Sequence, residues 1–386
     1  MITLRQPIIR IMTSSFLVFS LVGCGTLTPM ERRRSDQKIT QAATQALQGW
    51  EKISDLPPHD STLRIHCANT RVCWLNDSKI LWYSDDGGKT WNRYASPDGE
   101  TGPFDYEFLS ESVGFAYSSS ALYKSIDGGR SWGPQVTPLN SPNGEIRQLS
   151  FINEKREWLA GGLFHPQTKE ELKFGVPNNV KDISGTQILE NAIFHSDDGG
   201  ETWKKQTLMP PFVGRILTLS FADEVHGLAT GEITYFTLNG GKSWNRPRFT
   251  RSCVDSTLLG DEYRARPTAT SILKSGSAWL GFSDGRILQS SDYGVSWCDL
   301  VLPGTIGFAG PGPRYFQKLQ FLDARNGYGL GSDRFLYQSR DGGKSWQRTS
   351  DDLTFDSVFF INAEFGIAVS SQGIFRKNSS ATSTVP

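Results

Sequence analysis

Six segments of the chain repeat one pattern, and no other feature limits the fold as strongly. They are Ser84-Asp85-Asp86-Gly87-Gly88-Lys89-Thr90-Trp91, Ser125 to Trp132, Ser196 to Trp203, Thr237 to Trp244, Ser290 to Trp297 and Ser339 to Trp346. Each reads S/T-x-D/N-x-G-x-S/T-W, which is the chemistry of a hairpin turn. The third residue (Asp86, Asp127, Asp198, Asn239, Asp292, Asp341) can accept backbone N–H bonds inside the loop. Glycine supplies positive φ, and the tryptophan packs the hairpin onto a core. These aspartates are expected to be structural, not metal ligands or catalytic acids.

A second pattern precedes each box: a large apolar residue followed seven positions later by another, with a polar turn between. The pairs are Cys67 and Trp74, Phe108 and Phe115, Phe151 and Trp158, Phe221 and Leu228, Ile272 and Trp279, Phe321 and Tyr328, and, with no box after it, Phe360 and Ile367. Each unit therefore reads as strand A, turn, strand B, strand C, box turn and strand D. Seven units with six boxes leave the last one short of its outer strand. Gly49-Trp50-Glu51-Lys52-Ile53-Ser54-Asp55-Leu56-Pro57 looks like the missing D strand. Pairing it with the last unit closes a ring and removes exposed sheet edges. The expected fold is all-β: a seven-bladed β-propeller over residues 46–376, closed by an N-terminal strand. Residues 377–386 are left as a flexible tail.

Composition agrees. With 39 glycines, 19 prolines, 11 tryptophans and 23 phenylalanines, the chain favours short strands and tight turns over long helices. Lys plus Arg and Asp plus Glu number 40 each, which argues against a polybasic nucleic-acid binder or an acidic disordered chain. Ten tryptophans fall on D strands or B-strand positions and read as core. Trp82 is left over, as an exposed contact or an edge residue.

Residues 1–23 have the features of a signal peptide: Arg5 and Arg10, then the apolar stretch Ile11 to Val22. Leu21-Val22-Gly23-Cys24 resembles the lipobox of bacterial lipoproteins, which implies lipidation at Cys24 and a linker over residues 24–45. The mature protein is then expected in the cell envelope, lipid-anchored on the periplasmic side, by default of an outer membrane, or of a thylakoid in a photosynthetic cell. Export leaves Cys67, Cys73, Cys253 and Cys298 in an oxidising compartment, an even count compatible with two disulfides.

Unit lengths locate insertions. The longest, about 28 residues from Gly162 to Glu190, lies between strands B and C of unit three, and smaller ones follow strand D of units four and five. In a four-stranded antiparallel blade the B-to-C and D-to-A connections emerge on one face. All three insertions therefore project from the face opposite the boxes, where partners of propellers commonly bind. The first carries Phe164, His165, Lys169, Glu170, Glu171, Lys173 and Phe174, with no metal-ligand spacing, and reads as a partner-contact or disordered loop. Arginines near the start of strand A (Arg64, Arg147, Arg215, Arg264, Arg266, Arg314) are set against Asp105, Glu107 and Asp356 in the other units. They are read either as one basic side of the ring or as ordinary salt-bridged loop residues.

The six segments resemble the Asp-box, also called the BNR repeat. Units such as Leu219-Ser220-Phe221-Ala222-Asp223-Glu224-Val225-His226-Gly227-Leu228-Ala229, each followed by a box, resemble the photosystem II stability and assembly factor family. That resemblance implies an exported, non-catalytic scaffold that binds a protein partner such as a membrane protein complex; the chain is further expected to be monomeric and to need no cofactor or metal. Glu157 where glycine is expected, Asn239 in its box and the long insertion depart from the pattern. The rival is an enzyme, since sialidases carry similar boxes, or a glycan-binding propeller. A sialidase needs an arginine triad, a Tyr–Glu nucleophile pair and an acid, and Arg215, Arg266, Arg314, Glu262, Tyr263 and Asp261 supply those types.

Overall fold

A computed structural model describes residues 49–99, 103–140, 144–166, 187–206, 216–231, 233–250, 266–301, 313–350 and 352–377. Contacts divide the chain into Met1–Gln45 and Ala46–Pro386, and every described residue lies in the second unit. The described residues form strands and turns without a helix.

The strands make seven sheets, one per blade of a propeller. In the first, Arg64–Cys67, Cys73–Asn76, Leu81–Ser84 and Asn92–Tyr94 pair in order, giving strands A to D from the innermost outward. The last blade takes its outer strand from the other end of the chain: Trp50–Ser54 pairs antiparallel with Gly373–Lys377, Trp50 opposite Lys377. Trp50 is 5% exposed and packs on Phe355 and Phe360, with ring centroids 5.1 and 6.0 Å away.

The apolar pairs read from the sequence have a specific use. The second member of one blade stacks on the first member of the next. Trp74 lies 3.8 Å from Phe108, Trp158 3.7 Å from Phe221, Trp279 3.6 Å from Phe321 and Tyr328 3.7 Å from Phe360, all nearly coplanar. Each of these tryptophans also donates its indole N–H to a box glycine carbonyl of the following blade: Trp74 to Gly128, Trp158 to Gly240 and Trp279 to Gly342. Apolar burial and a satisfied buried donor thus lock neighbouring blades together.

The boxes are built as the residue types require. Asp86 Oδ1 accepts from Ser84 Oγ at 2.8 Å, Lys89 N at 2.9 Å and Thr90 N at 3.0 Å, and Oδ2 accepts from Thr90 Oγ1 at 2.7 Å. Gly87 and Gly88 sit at φ 76° and 87°, a region that strains other residues. Burial works against the Asp86 charge, but bonds from Thr90, Ser84 and Lys89 prevail and hold its carboxyl down at about 2. Gly87 N then donates to Arg71 O at 2.8 Å, so the box leans on the A-to-B turn of its own blade.

Three sequence expectations are revised. Blade four has three strands: after Trp244 the chain makes a single bridge, Asn245 to Phe236, and Arg248–Thr250 then joins blade five as a parallel fifth strand beside Ser296–Val301. Pro247 lacks the N–H that a continuing D strand needs. Trp82, left over in the sequence reading, is 3% exposed in strand C of blade one and belongs to the core. The long insertion of blade three does not begin as a loop: Glu157–Pro166 and Gln187–Ser196 run on as one paired hairpin as far as Pro166 opposite Gln187.

Cys67 and Cys73, directly opposite on strands A and B of blade one, form a disulfide. Cys298 is also disulfide-bonded. Cys253 and Cys24 lie outside the described residues.

Candidate functional site

Blade geometry gives the ring two different faces. The A-to-B turns and box turns form one, the box face. The B-to-C and D-to-A connections, with the extended hairpin of blade three, form the other, the crossover face.

On the crossover face a cavity of about 380 Å³ opens where blades six, seven and one meet. It is lined by the connection from His59 to Leu63 and by Arg334, Asp356 and Ser371. Arg334 Nη2 meets Asp356 Oδ1 at 2.5 Å. Arg334 holds φ 66° without being glycine, a conformation that costs on the order of 1 kcal/mol and is kept by its surroundings. Its carbonyl accepts from Phe355 N and its own N–H donates to Gly331 O. This arginine was not among the sequence candidates. The signal for it is Asp356, noted as an acid in place of an arginine.

The arginines named from the sequence separate. Arg64 forms an ion pair with Asp105 of the next blade. Arg147 is buried and bonds Glu145 at 2.6 Å, while its Nη1 has no hydrogen-bond partner among the described residues. Arg266 and Arg314 are exposed on the crossover face. Phe164 is in the extended hairpin, opposite Leu189. Arg215, Arg264, Lys169, Lys173, Asp261, Glu262 and Tyr263 lie outside the described residues. The described arginines therefore make no single basic arc: two are neutralised by carboxylates and two are open to solvent.

The innermost strands carry polar groups between blades. Glu107 accepts from Tyr117 OH at 3.2 Å and Gln148 Nε2 at 3.1 Å, and burial pushes its carboxyl up to about 7. Lys318 Nζ donates to Val358 O at 2.8 Å, and burial, with Arg64 nearby, lowers it to about 8. His66 packs against Phe359 with the rings tilted at 52° and their centroids 4.5 Å apart, and burial, reinforced by Lys318, lowers it to about 4, so it is neutral at pH 7. These groups bridge backbone and side chains of adjacent blades.

The larger concavity lies on the box face, about 520 Å³ between blades three and four. Arg156, Asp197, Lys204 and Glu224 are among its walls, and the Asn239 box forms one side. Its floor is rigid: Gln206 Nε2 donates to Gly240 O at 2.7 Å and Trp244 Nε1 donates to Gln206 Oε1 at 3.2 Å. Among the described residues no group of three or more His, Cys, Asp or Glu side chains is arranged to hold a metal ion.

With this geometry the comparisons with known proteins are informative. The BNR/Asp-box repeat model matches residues 82–93 and 194–205. The protein is a seven-bladed Asp-box propeller. The photosystem II assembly protein Ycf48 of Synechococcus sp. (strain JA-2-3B'a(2-13)) is 21% identical over 282 residues, 66% of this chain and 78% of that protein. A solved structure described as YCF48 bound to D1 peptide superposes with a TM-score of 0.58 at 18% identity, covering 86% of this propeller chain and 97% of the other. A probable oligoxyloglucan-reducing end-specific xyloglucanase of Neosartorya fischeri is 25% identical over 173 residues, 41% of this chain. The propeller chain spans only 19% of that protein's length.

Proposed function

We propose that this propeller is a non-enzymatic scaffold that binds a protein partner and serves the assembly or stability of a membrane protein complex. The observation that carries the reading is the similarity to Ycf48 along two thirds of the chain, since a solved YCF48 structure is bound to a D1 peptide. The proposed contact is the crossover face. There blade three extends its hairpin beyond the length of every other described blade, and Arg266 and Arg314 are solvent-exposed. Exposed arginines on the same face as a projecting hairpin suit bidentate contacts to carboxylates. Arg215, Arg264, Phe164, Lys169 and Lys173 remain part of this proposed surface. Attachment through a lipid on Cys24, an extracytoplasmic location and a monomeric state belong to the same proposal.

The test is recovery of cross-linked partners by the tagged full chain from its own membranes. Arg266→Glu with Arg314→Glu is expected to reduce recovery severalfold with the fold intact, because exposed loop changes cost little stability. Lys89→Glu with Lys344→Glu, beside box turns, is expected to leave it unchanged. The reverse outcome assigns the contact to the wrong face. Cys24→Ala is expected to release the protein from membranes, and persistent attachment counts against the lipid anchor.

The xyloglucanase similarity favours a second reading, a glycoside hydrolase or glycan-binding propeller. Incubation of the purified protein with xyloglucan oligosaccharides and with a sialoside separates the two. Hydrolysis that tracks the purified protein overturns the scaffold reading.

A further inference from the structure

The box face holds a feature that the repeat does not need. Five boxes carry aspartate at the third position, and the fourth alone carries Asn239. The turn is nevertheless made in the same way: Thr237 Oγ1 donates to Asn239 Oδ1 at 3.0 Å, Ser243 N donates to it at 2.9 Å, and Asn239 Nδ2 donates to Ser243 Oγ at 2.8 Å. Folding therefore accepts either residue, and what the exchange removes is one negative charge. It is removed at the wall of the 520 Å³ cavity between blades three and four.

That cavity is cationic. Arg156, Lys204, Lys205 and Lys242 face two carboxylates, Asp197 and Glu224, leaving two net positive charges. Asp197 is 3.8 Å from both Arg156 Nε and Lys204 Nζ, and Glu224 pairs with Arg156. His195 adds a donor or acceptor without charge: burial lowers its imidazole, although Asp197 opposes the shift. Its Nε2 is buried with no hydrogen-bond partner among the described residues, 3.5 Å from Asp197 Oδ1. Asp at position 239 would cancel half of the net charge. A fixed floor, an excess of cations and a missing box carboxylate point the same way.

We infer that this cavity binds carboxylate groups of an acidic peptide segment, as a second contact on the face opposite the proposed partner surface. The inference rests on the scaffold reading for its ligand class, but not on which face that reading uses. The cations would meet the peptide carboxylates in charge-assisted hydrogen bonds, and Asn239 lets an anion approach the box without repulsion.

The test uses the purified full chain and fluorescein-labelled hexaglutamate, with hexaglutamine as control, read by fluorescence anisotropy at low and high salt. Hexaglutamate is expected to bind, more weakly at high salt, and hexaglutamine not to bind. Asn239→Asp restores the common box and is expected to fold with an unchanged melting temperature, yet to weaken hexaglutamate binding about tenfold, as one added charge a few ångströms away does at intermediate dielectric. Lys204→Glu with Lys242→Glu is expected to abolish it. Equal affinity of Asn239→Asp and the native chain, or equal binding of the two peptides, overturns the inference. If the native chain still recovers a membrane partner in that case, the scaffold reading survives. If peptide binding behaves as expected and no partner is recovered, the scaffold reading fails and the site stands.

Discussion

Glu157 tests how well the repeat explains the fold. In blades two, four, six and seven its position is glycine, and a Cβ at Gly114, Gly227, Gly327 or Gly366 would come within 2.6 Å of the blade's own anchoring phenylalanine ring. Blade three puts a carboxylate there, 1% exposed, and neither oxygen has a hydrogen-bond partner among the described residues. Burial raises its carboxyl from 4.5 to about 7, and Lys124 only partly offsets this. The folded value lies above the unfolded one, so the charge penalty is absent below about pH 4.5 and grows to its full size above about pH 7. At about 1.4 kcal/mol per pH unit the penalty is about 3 kcal/mol. Glu157→Gln keeps the shape and removes the charge. It is expected to raise the melting temperature at pH 8 by roughly 6 °C, taking about 2 °C per kcal/mol for a large domain, and to change it little at pH 4.5. Thermal unfolding followed by tryptophan fluorescence at the two pH values measures this, and the difference from the native chain removes the parallel titration of Glu107. An equal shift at both pH values, or a loss at pH 8, refutes the argument that an unpaired buried anion sits in blade three.

Other expectations concern the devices of the fold. Asp86→Ala removes four hydrogen bonds of its box and is expected to cost about 2 kcal/mol in chemical denaturation, whereas Asp86→Asn, the arrangement already present at Asn239, costs less than about 1 kcal/mol. Because the folded Asp86 value is depressed, its contribution is present above about pH 4 and fades as pH falls through about 2. Trp50→Ala opens the seam between the two chain ends and is expected to cost about 3–5 kcal/mol, read as a lower denaturation midpoint; a change under about 1 kcal/mol contradicts closure through this strand. Replacing Cys67 and Cys73 together by serine is expected to lower stability by about 2 kcal/mol; because reductant also breaks the disulfide of Cys298, the link to this bond is a loss on reduction smaller in the double variant than in the native chain by about that amount.

Most of the architecture was legible because its signals are local. A box is eight consecutive residues, and the glycine and tryptophan in it have no cheaper explanation than a hairpin. The seven-residue spacing also identified strands A and B correctly. It could not show that Trp74 stacks on Phe108 of the next unit, because nothing within one repeat encodes the contact between repeats. The diversion after Asn245 was foreshadowed by Pro247, but joining a neighbouring sheet depends on an edge that the sequence does not display. The site was less legible for the same reason. The cavity between blades three and four brings Arg156 beside Glu224 and puts Lys204 and Asn239 in one lining, residues far apart along the chain. Its one local signal was the asparagine in the fourth box. The arginines show the same limit: their positions left open either one basic side of the ring or ordinary salt-bridged residues, and the folded chain pairs Arg64 with Asp105 and Arg147 with Glu145.

The seam between Trp50–Ser54 and Gly373–Lys377 sets the order of events when the molecule is made. Of the described strands, the first to leave the ribosome cannot find its partner until the last has followed. Blades one to six can condense as they appear, but blades one and six lack a finished neighbour until the seam forms. Closing so distant a contact is slow, and the open arc exposes strand edges meanwhile. A product that lacks either seam strand is therefore expected to stay an open arc and a ready target for proteolysis, and not to become a smaller propeller.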